Sequence, residues 1–148
     1  MHKQKKIAIF IPTYNAGSTV PLVIDRIPED IKKRVKEIFV IDNASPDNTY
    51  LTIIGYKAKK NMSNLKIIRN ERNLGYGRAL RTGFKTATKE LVFYTDGDGQ
   101  YDVKELPILL SLMTKDVDIA NGIKMSRHDP TYRIFIGNLY KLLIDDVD

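Results

Sequence analysis

The chain has 148 residues, 43% hydrophobic and 28% charged, with a net charge of +6 and no cysteine. That length and composition suit one soluble domain with a core. Disulfides, thiolate metal sites and cysteine nucleophiles are excluded, and a reducing compartment is compatible. The apolar run after the basic N-terminus stops at Pro12. It reads as too short for a signal-peptide core or a membrane span, and no other run has the length to cross a bilayer.

The charge is uneven. Ten Lys or Arg stand against two Glu between Tyr56 and Glu90, so the remainder sums to −2. Such an excess favours phosphorylated ligands or an anionic membrane surface; solvated helix faces are the ordinary alternative. No helix-turn-helix, zinc or RNA-binding signature supports nucleic acid as a partner.

In chain order, Lys6 to Ile11 is a β-branched, apolar run that predicts a first strand ended by Pro12. Ser18 or Thr19 is placed to cap a helix that tolerates Pro21 in its first turn. Val20, Val23, Ile24 and Ile27 recur at helical spacing and are expected to face a sheet. Glu37 to Ile41 predicts a second strand, ending in Asp42 and Asn43. Asp47 is expected to cap a helix from about Thr49 to Lys59, and Leu65 to Ile68 predicts strand three. After a polar connection a helix is expected to run to Thr86, with Ala79, Leu80, Gly83 and Phe84 inward. Leu91 to Thr95 predicts a buried fourth strand. Asp102 is expected to cap a helix carrying Val103, Leu106, Leu109, Leu110 and Met113. A short fifth strand is expected at Asp118 to Ala120, and a helix at Tyr132 to Ile144.

This alternation is βαβαβαβα. It predicts an α/β fold with a mainly parallel sheet between helical layers. Parallel strands bring Pro12, Tyr14 and Asn15, then Asp42 and Asn43, then Asp96 and Asp98 to one sheet edge, where a nucleotide crevice forms in such folds. Asp96 and Asp98 are hard oxygen ligands suited to Mg²⁺ or Mn²⁺, which bind through one or two carboxylates plus substrate phosphates. Gly97 and Gly99 leave the backbone uncovered for a bulky anion. The competing reading is a turn with solvated aspartates. No Walker loop and no Gly-x-Gly-x-x-Gly after strand one is present, which argues against P-loop and dinucleotide-binding classes.

Four segments then resemble a family: Ile11 to Asn15, Val40 to Thr49, Arg72 to Gly83, and Asp96 to Gln100. In order and spacing they are similar to the inverting glycosyltransferases of family 2 with a GT-A fold. The likeness is greatest to the branch of dolichol- or polyprenyl-phosphate mannose and glucose synthases, and it covers about Lys6 to Tyr140. The resemblance implies a Rossmann-like three-layer sandwich and transfer from a nucleotide-diphosphate sugar, of GDP-mannose or UDP-glucose type, to a lipid phosphate at a membrane surface. It implies that Pro12, Tyr14 and Asn15 line the nucleotide pocket and that Asp42 and Asn43 contact the base. Asp96, with Gly97, would lie by the ribose and diphosphate. Asp98, with Gln100 and Asp96, would hold the divalent ion. Lys124, Arg127 and Arg133 would meet the acceptor phosphate.

The chain departs from the family where Ala16 replaces a common Glu and where Asn43 replaces the second residue of a common Asp-Asp pair. Relatives usually continue into an acceptor-binding or membrane segment, so a single domain over 1–148 lacking that segment is expected. The expected location is cytoplasmic or peripheral at a membrane, with room for a membrane partner subunit. Three readings stay open: a lipid-phosphate glycosyltransferase, a nucleotide-sugar-binding domain inactive alone, and a transferase acting on a saccharide hydroxyl.

Overall fold

The computed structural model describes residues 5–122. The chain divides into two compact units, Met1–Leu112 and Met113–Asp148. In the first, four strands form one parallel sheet: β1 (Ile7–Thr13), β2 (Val35–Asp42), β3 (Leu65–Arg69) and β4 (Leu91–Tyr94), in the spatial order β3-β2-β1-β4. The helices are α1 (Val20–Asp25), α2 (Glu29–Lys32), α3 (Thr49–Lys59), α4 (Tyr76–Thr86) and α5 (Leu106–Leu112).

The run Ile7-Ala8-Ile9-Phe10-Ile11 is buried throughout because β1 is central and both of its faces are covered. Its alternate residues feed two cores. Ile7, Ile9 and Ile11 join Val20, Val23, Ile24, Ile38, Val40, Ile53 and Leu106 on one face. Ala8 and Phe10 join Phe39, Ile41 and Ala79 on the other. The α1 spacing thus seats Val20, Val23 and Ile24 as expected, each worth about 1.5–3 kcal/mol by burial. Under α4 the packing is close: a Cβ at Gly83 would fall 2.3 Å from the Phe10 ring. Only a residue without a side chain lets that helix lie on the sheet there.

One charged side chain is built into this core's edge. Glu37 accepts from the Thr88 hydroxyl at 2.6 Å and the Thr88 N–H at 3.2 Å, and pairs with Lys89 at 2.8 Å. These contacts fix the connection that leads into β4. Burial works against the charged carboxylate, but the bonds from Lys89 and Thr88 outweigh it and lower its pKa to about 2.

Several expectations change. Pro12 does not end β1, which runs on to Thr13 and pairs Pro12 with Ile41 and Thr13 with Asp42. The β4 ladder stops at Phe10 opposite Tyr94, so the missing proline N–H falls where no strand asks for it. Beyond that point the Pro12 carbonyl accepts from Gly97 N–H at 3.3 Å. The fourth strand is not fully buried: Val92 and Tyr94 are exposed. It is the last strand of the described sheet, and α4 lies over β1 and β2, meeting Tyr94 through the Phe84 ring. Asp118 to Ala120 is not a strand, and its one large apolar residue, Ile119, is exposed. The four-residue α2, anchored by Ile31, was not expected, being too short to show a period. The helix expected at 132–144 lies outside the described residues.

Candidate functional site

Four parallel strands place four loops at one sheet edge, and the loops are bound to one another. After β1, Thr13 is buried, and its hydroxyl donates back to Ile11 O at 3.1 Å. Tyr14 is exposed. Asn15 takes a left-handed conformation, φ 51°, which asparagine tolerates. Its N–H donates to Ser45 Oγ at 3.0 Å, and the next N–H, of Ala16, donates to Thr49 Oγ1 at 3.1 Å. Thr49 opens α3, so these bonds tie the first loop to the second. A Cβ on Gly17 would come within 2.9 Å of Thr49 Cα, which explains the glycine there.

At the end of β2, Asp42 is completely buried. Its Oδ1 accepts from Ser45 N–H at 2.9 Å, closing the turn, and its Oδ2 lies 3.4 Å from Arg69 Nε. That ion pair is not a hydrogen bond: Oδ2 has no hydrogen-bond partner among the described residues. Asn43 is also buried. Its N–H donates to Thr13 O, its Nδ2 donates to Asn73 Oδ1 at 2.7 Å, and its Oδ1 accepts from Asn70 Nδ2 at 2.9 Å and Leu74 N–H at 3.0 Å. Asn73 Oδ1 also accepts from Gly75 N–H at 2.9 Å, closing the turn before α4, where φ at Gly75 is +81°. Asn43 therefore holds the third loop against the second.

The fourth loop carries the two carboxylates. Asp96 is half-buried, and its Oδ1 accepts from the Tyr76 hydroxyl at 2.8 Å. Burial and that carboxylate push the Tyr76 phenol well above its ordinary range. Gly97 is buried between them: its N–H donates to Pro12 O, and its carbonyl accepts from the Thr19 hydroxyl. A Cβ there would sit 2.8 Å from Thr13 Oγ1 and 2.9 Å from Val20 Cγ2. Asp98 is exposed, with Oδ1 accepting from Gln100 N–H at 2.9 Å. Gly99, φ +75°, turns the chain, and its carbonyl accepts from Arg26 at 3.2 Å.

Pro12, Tyr14, Asn15, Asp42, Asn43, Asp96, Gly97, Asp98 and Gln100 thus all sit at this edge. Lys124, Arg127 and Arg133 lie outside the described residues. Sequence reasoning assigned no role to Ser45, Arg69, Asn70, Asn73 or Tyr76. The signal available for Asn70, Asn73 and Tyr76 was their place in or beside the glycine-bearing connection before α4; nothing in the sequence marked their partners.

A divalent ion fits this donor set. Among the described residues no three His, Asp or Glu side chains form a cage. Mg²⁺ and Mn²⁺ do not require one, since they bind through one or two carboxylates and complete their shell with phosphate and water oxygens. Asp96 and Asp98 each have one oxygen in an internal bond and a second oxygen with no protein hydrogen bond among the described residues.

Residues 8–144 match the model of the glycosyl transferase family 2. Over 144 residues the chain is 27% identical to undecaprenyl-phosphate 4-deoxy-4-formamido-L-arabinose transferase of Yersinia enterocolitica, covering 96% of this chain and 44% of that protein. Among solved structures it is similar to the mannosyltransferase PcManGT from Pyrobaculum calidifontis in complex with GDP-Man and Mn²⁺. The TM-score there is 0.59 at 24% identity, over 70% of this chain and 30% of that one. Glucosyl-3-phosphoglycerate synthase from Mycobacterium tuberculosis, in complex with Mn²⁺, UDP-glucose and phosphoglyceric acid, gives 0.59 at 24%, over 76% and 40%. The chain spans less than half the length of each of these relatives. The parallel sheet between helical layers is the GT-A fold of these neighbours. With the family model matching nearly the whole chain, this protein belongs to glycosyl transferase family 2.

Proposed function

We propose that this domain binds a nucleotide-diphosphate sugar with a divalent cation and transfers the sugar, with inversion, to a polyprenyl phosphate. The observation that carries this reading is the loop after β4, which presents Asp96 and Asp98 at the same edge as the cross-tied loops after β1 and β2. Asp98, with Asp96 and Gln100, would hold the cation, which supplies neutralisation of charge on the leaving diphosphate. Tyr14 and Asn15, from the loop after β1, would bound the nucleoside. A phosphate monoester already carries about −1.5 to −2 charges near neutral pH, so it attacks without a base to deprotonate it. The name of the Yersinia relative, an undecaprenyl-phosphate transferase, supports the acceptor class. Lys124, Arg127 and Arg133 are the residues proposed to meet that phosphate.

The test has two stages. Calorimetry with UDP and GDP, with and without Mn²⁺ or Mg²⁺, measures donor binding. Transfer from UDP-glucose and GDP-mannose is then compared on undecaprenyl phosphate and undecaprenol. Asp98→Asn is expected to remove the metal-dependent part of the affinity, a loss beyond the roughly tenfold that outer-shell partners alone cost. Unchanged metal-dependent affinity would take Asp98 out of the site. Equal rates on the two lipids would overturn the phosphate acceptor, and donor binding without any transfer would limit this chain to binding.

A further inference from the structure

The outer face of α3 is apolar where a surface helix is normally polar. Ile53 and Thr49 point to the core, and Leu51, Ile54, Gly55 and Ala58 lie on the opposite side at helical spacing. Leu51 is 68% exposed and Ile54 39%, and Leu22, on the neighbouring α1, is 52% exposed. Lys57 and Lys59 flank this stripe, and neither makes an ion pair among the described residues. Asp25, on the neighbouring α1, is already taken by Lys60 at 3.0 Å and by the Tyr56 hydroxyl at 2.9 Å. From Asn48 to Asn70 the sequence holds no acidic residue and five basic ones.

We propose that this face docks the domain on an anionic lipid surface, with the Leu51–Ile54–Ala58 stripe in the headgroup layer and Lys57 and Lys59 at its margins. An apolar stripe edged by lysines is the pattern of helices that lie in the interface, where the lysine stems add apolar contact and their ammonium groups reach the lipid phosphates. A second copy of the chain is a poorer occupant. A two-fold contact would set this face against itself and oppose its own lysines. The arrangement also suits the site. The first turn of α3 is bonded to the loop after β1 through Thr49 Oγ1, so a docked helix is tied directly to that loop. The inference stands apart from the acceptor reading, because binding to vesicles is measured without donor or acceptor.

The experiment uses the intact chain and sedimentation with vesicles of phosphatidylcholine, alone or mixed with phosphatidylglycerol, at low and high salt. Binding is expected only to the anionic vesicles and is expected to weaken with salt. Each lysine near such a surface is worth about a fivefold change in partitioning, so K57E/K59E should weaken binding by well over tenfold. L51S/I54S should also weaken it by at least about tenfold through lost apolar contact. Circular dichroism and UDP or GDP affinity should stay as in the parent chain for both variants. No binding by the parent, or unchanged binding by both folded variants, overturns the proposal. A dimer of the parent in sedimentation velocity that L51S/I54S dissolves overturns it in favour of a contact between copies.

Discussion

Replacing Gly97 by alanine puts one methyl group at the point where the carboxylate loop meets the core. That Cβ would lie 2.8 Å from Thr13 Oγ1, 2.9 Å from Val20 Cγ2 and 3.4 Å from Ile11 Cγ2. Ordinary contacts of these atoms are about 3.5–4.0 Å, so two of the overlaps are of the order of 1 Å. None of the three neighbours is the loose end of a long side chain. Thr13 and Ile11 belong to the central strand, Val20 opens α1, and all three are buried. The loop must therefore move. Overpacking of this kind costs about 1–3 kcal/mol. The alanine returns about 0.4–1 kcal/mol by restricting the unfolded chain, since Gly97 has no positive φ to be strained. The net loss is about 1–2 kcal/mol, a fall of roughly 2–8 °C in Tm for a chain of this size. Function should suffer more than stability, because Asp96 and Asp98 flank the displaced residue and misplacement by about 1 Å costs on the order of a hundredfold in rate. Thermal melts and calorimetry of UDP or GDP with Mn²⁺ check both. Gly55→Ala, in mid-helix with no atom within 4 Å of its new Cβ, is the matched control and should gain about 1 kcal/mol. A Gly97→Ala protein as stable as its parent, with the same metal-dependent affinity, would refute the claim that this packing positions the carboxylates.

Glu37 makes the fold acid-sensitive. Its pKa is held at about 2, below the ordinary 4.5, so its contribution is complete above pH 4.5 and is lost as pH falls toward 2. At 1.36 kcal/mol per unit the shift sets a ceiling of about 3 kcal/mol, and solvent near the Lys89 pair reduces the expected loss to about 1–2 kcal/mol. Glu37→Gln should be less stable than the parent at neutral pH and should show a flatter fall between pH 4.5 and 2 in urea melts; parallel curves would count against the pair. Tyr76→Phe removes the hydroxyl bound to Asp96 Oδ1. It should cost about 1 kcal/mol or less in stability and weaken metal-dependent nucleotide binding several-fold while sparing metal-free binding. Equal losses with and without metal would show that Tyr76 acts on the nucleotide and not through Asp96.

What the sequence could show follows from which forces leave a local trace. The bounds of α3 are those expected from its spacing and its turn, and Asp47 accepts from Thr49 N–H at 3.0 Å, as a residue at a helix entry does. Thr19 occupies the expected cap position of α1, yet its side chain accepts from no helix N–H: the hydroxyl is turned to the Gly97 carbonyl, in a loop 78 residues away. Pro12 looked like a stop because proline lacks a donor; whether that matters depends on where β4 ends, which no local pattern records. The carboxylates were legible as a type and a spacing. The amide set of Asn43, Asn70 and Asn73 was not, since side-chain amides about 30 residues apart pair by geometry and leave no period.

That amide set narrows how a nucleobase can be read. An amide oxygen has two lone pairs and its nitrogen two hydrogens. Asn43 Oδ1 already accepts from Asn70 and Leu74, and one Nδ2 hydrogen goes to Asn73. One N–H is left for any ligand. Asp42 has one buried oxygen without a hydrogen bond, facing Arg69 at 3.4 Å, and no exposed surface through which a base could touch it. On the proposed function, discrimination between bases at this edge would rest on few side-chain groups. Main-chain atoms of the two loops and the ring of Tyr14 would supply the rest of the contact. The loops of this edge are fixed without any ligand, because the bonds from Asn15 to Ser45, Ala16 to Thr49, Asn70 to Asp42 and Gly97 to Pro12 belong to the fold itself. Ordering costs that binding would otherwise carry are met during folding. Affinity for the nucleotide should then depend on the integrity of those bonds as much as on any residue that touches it.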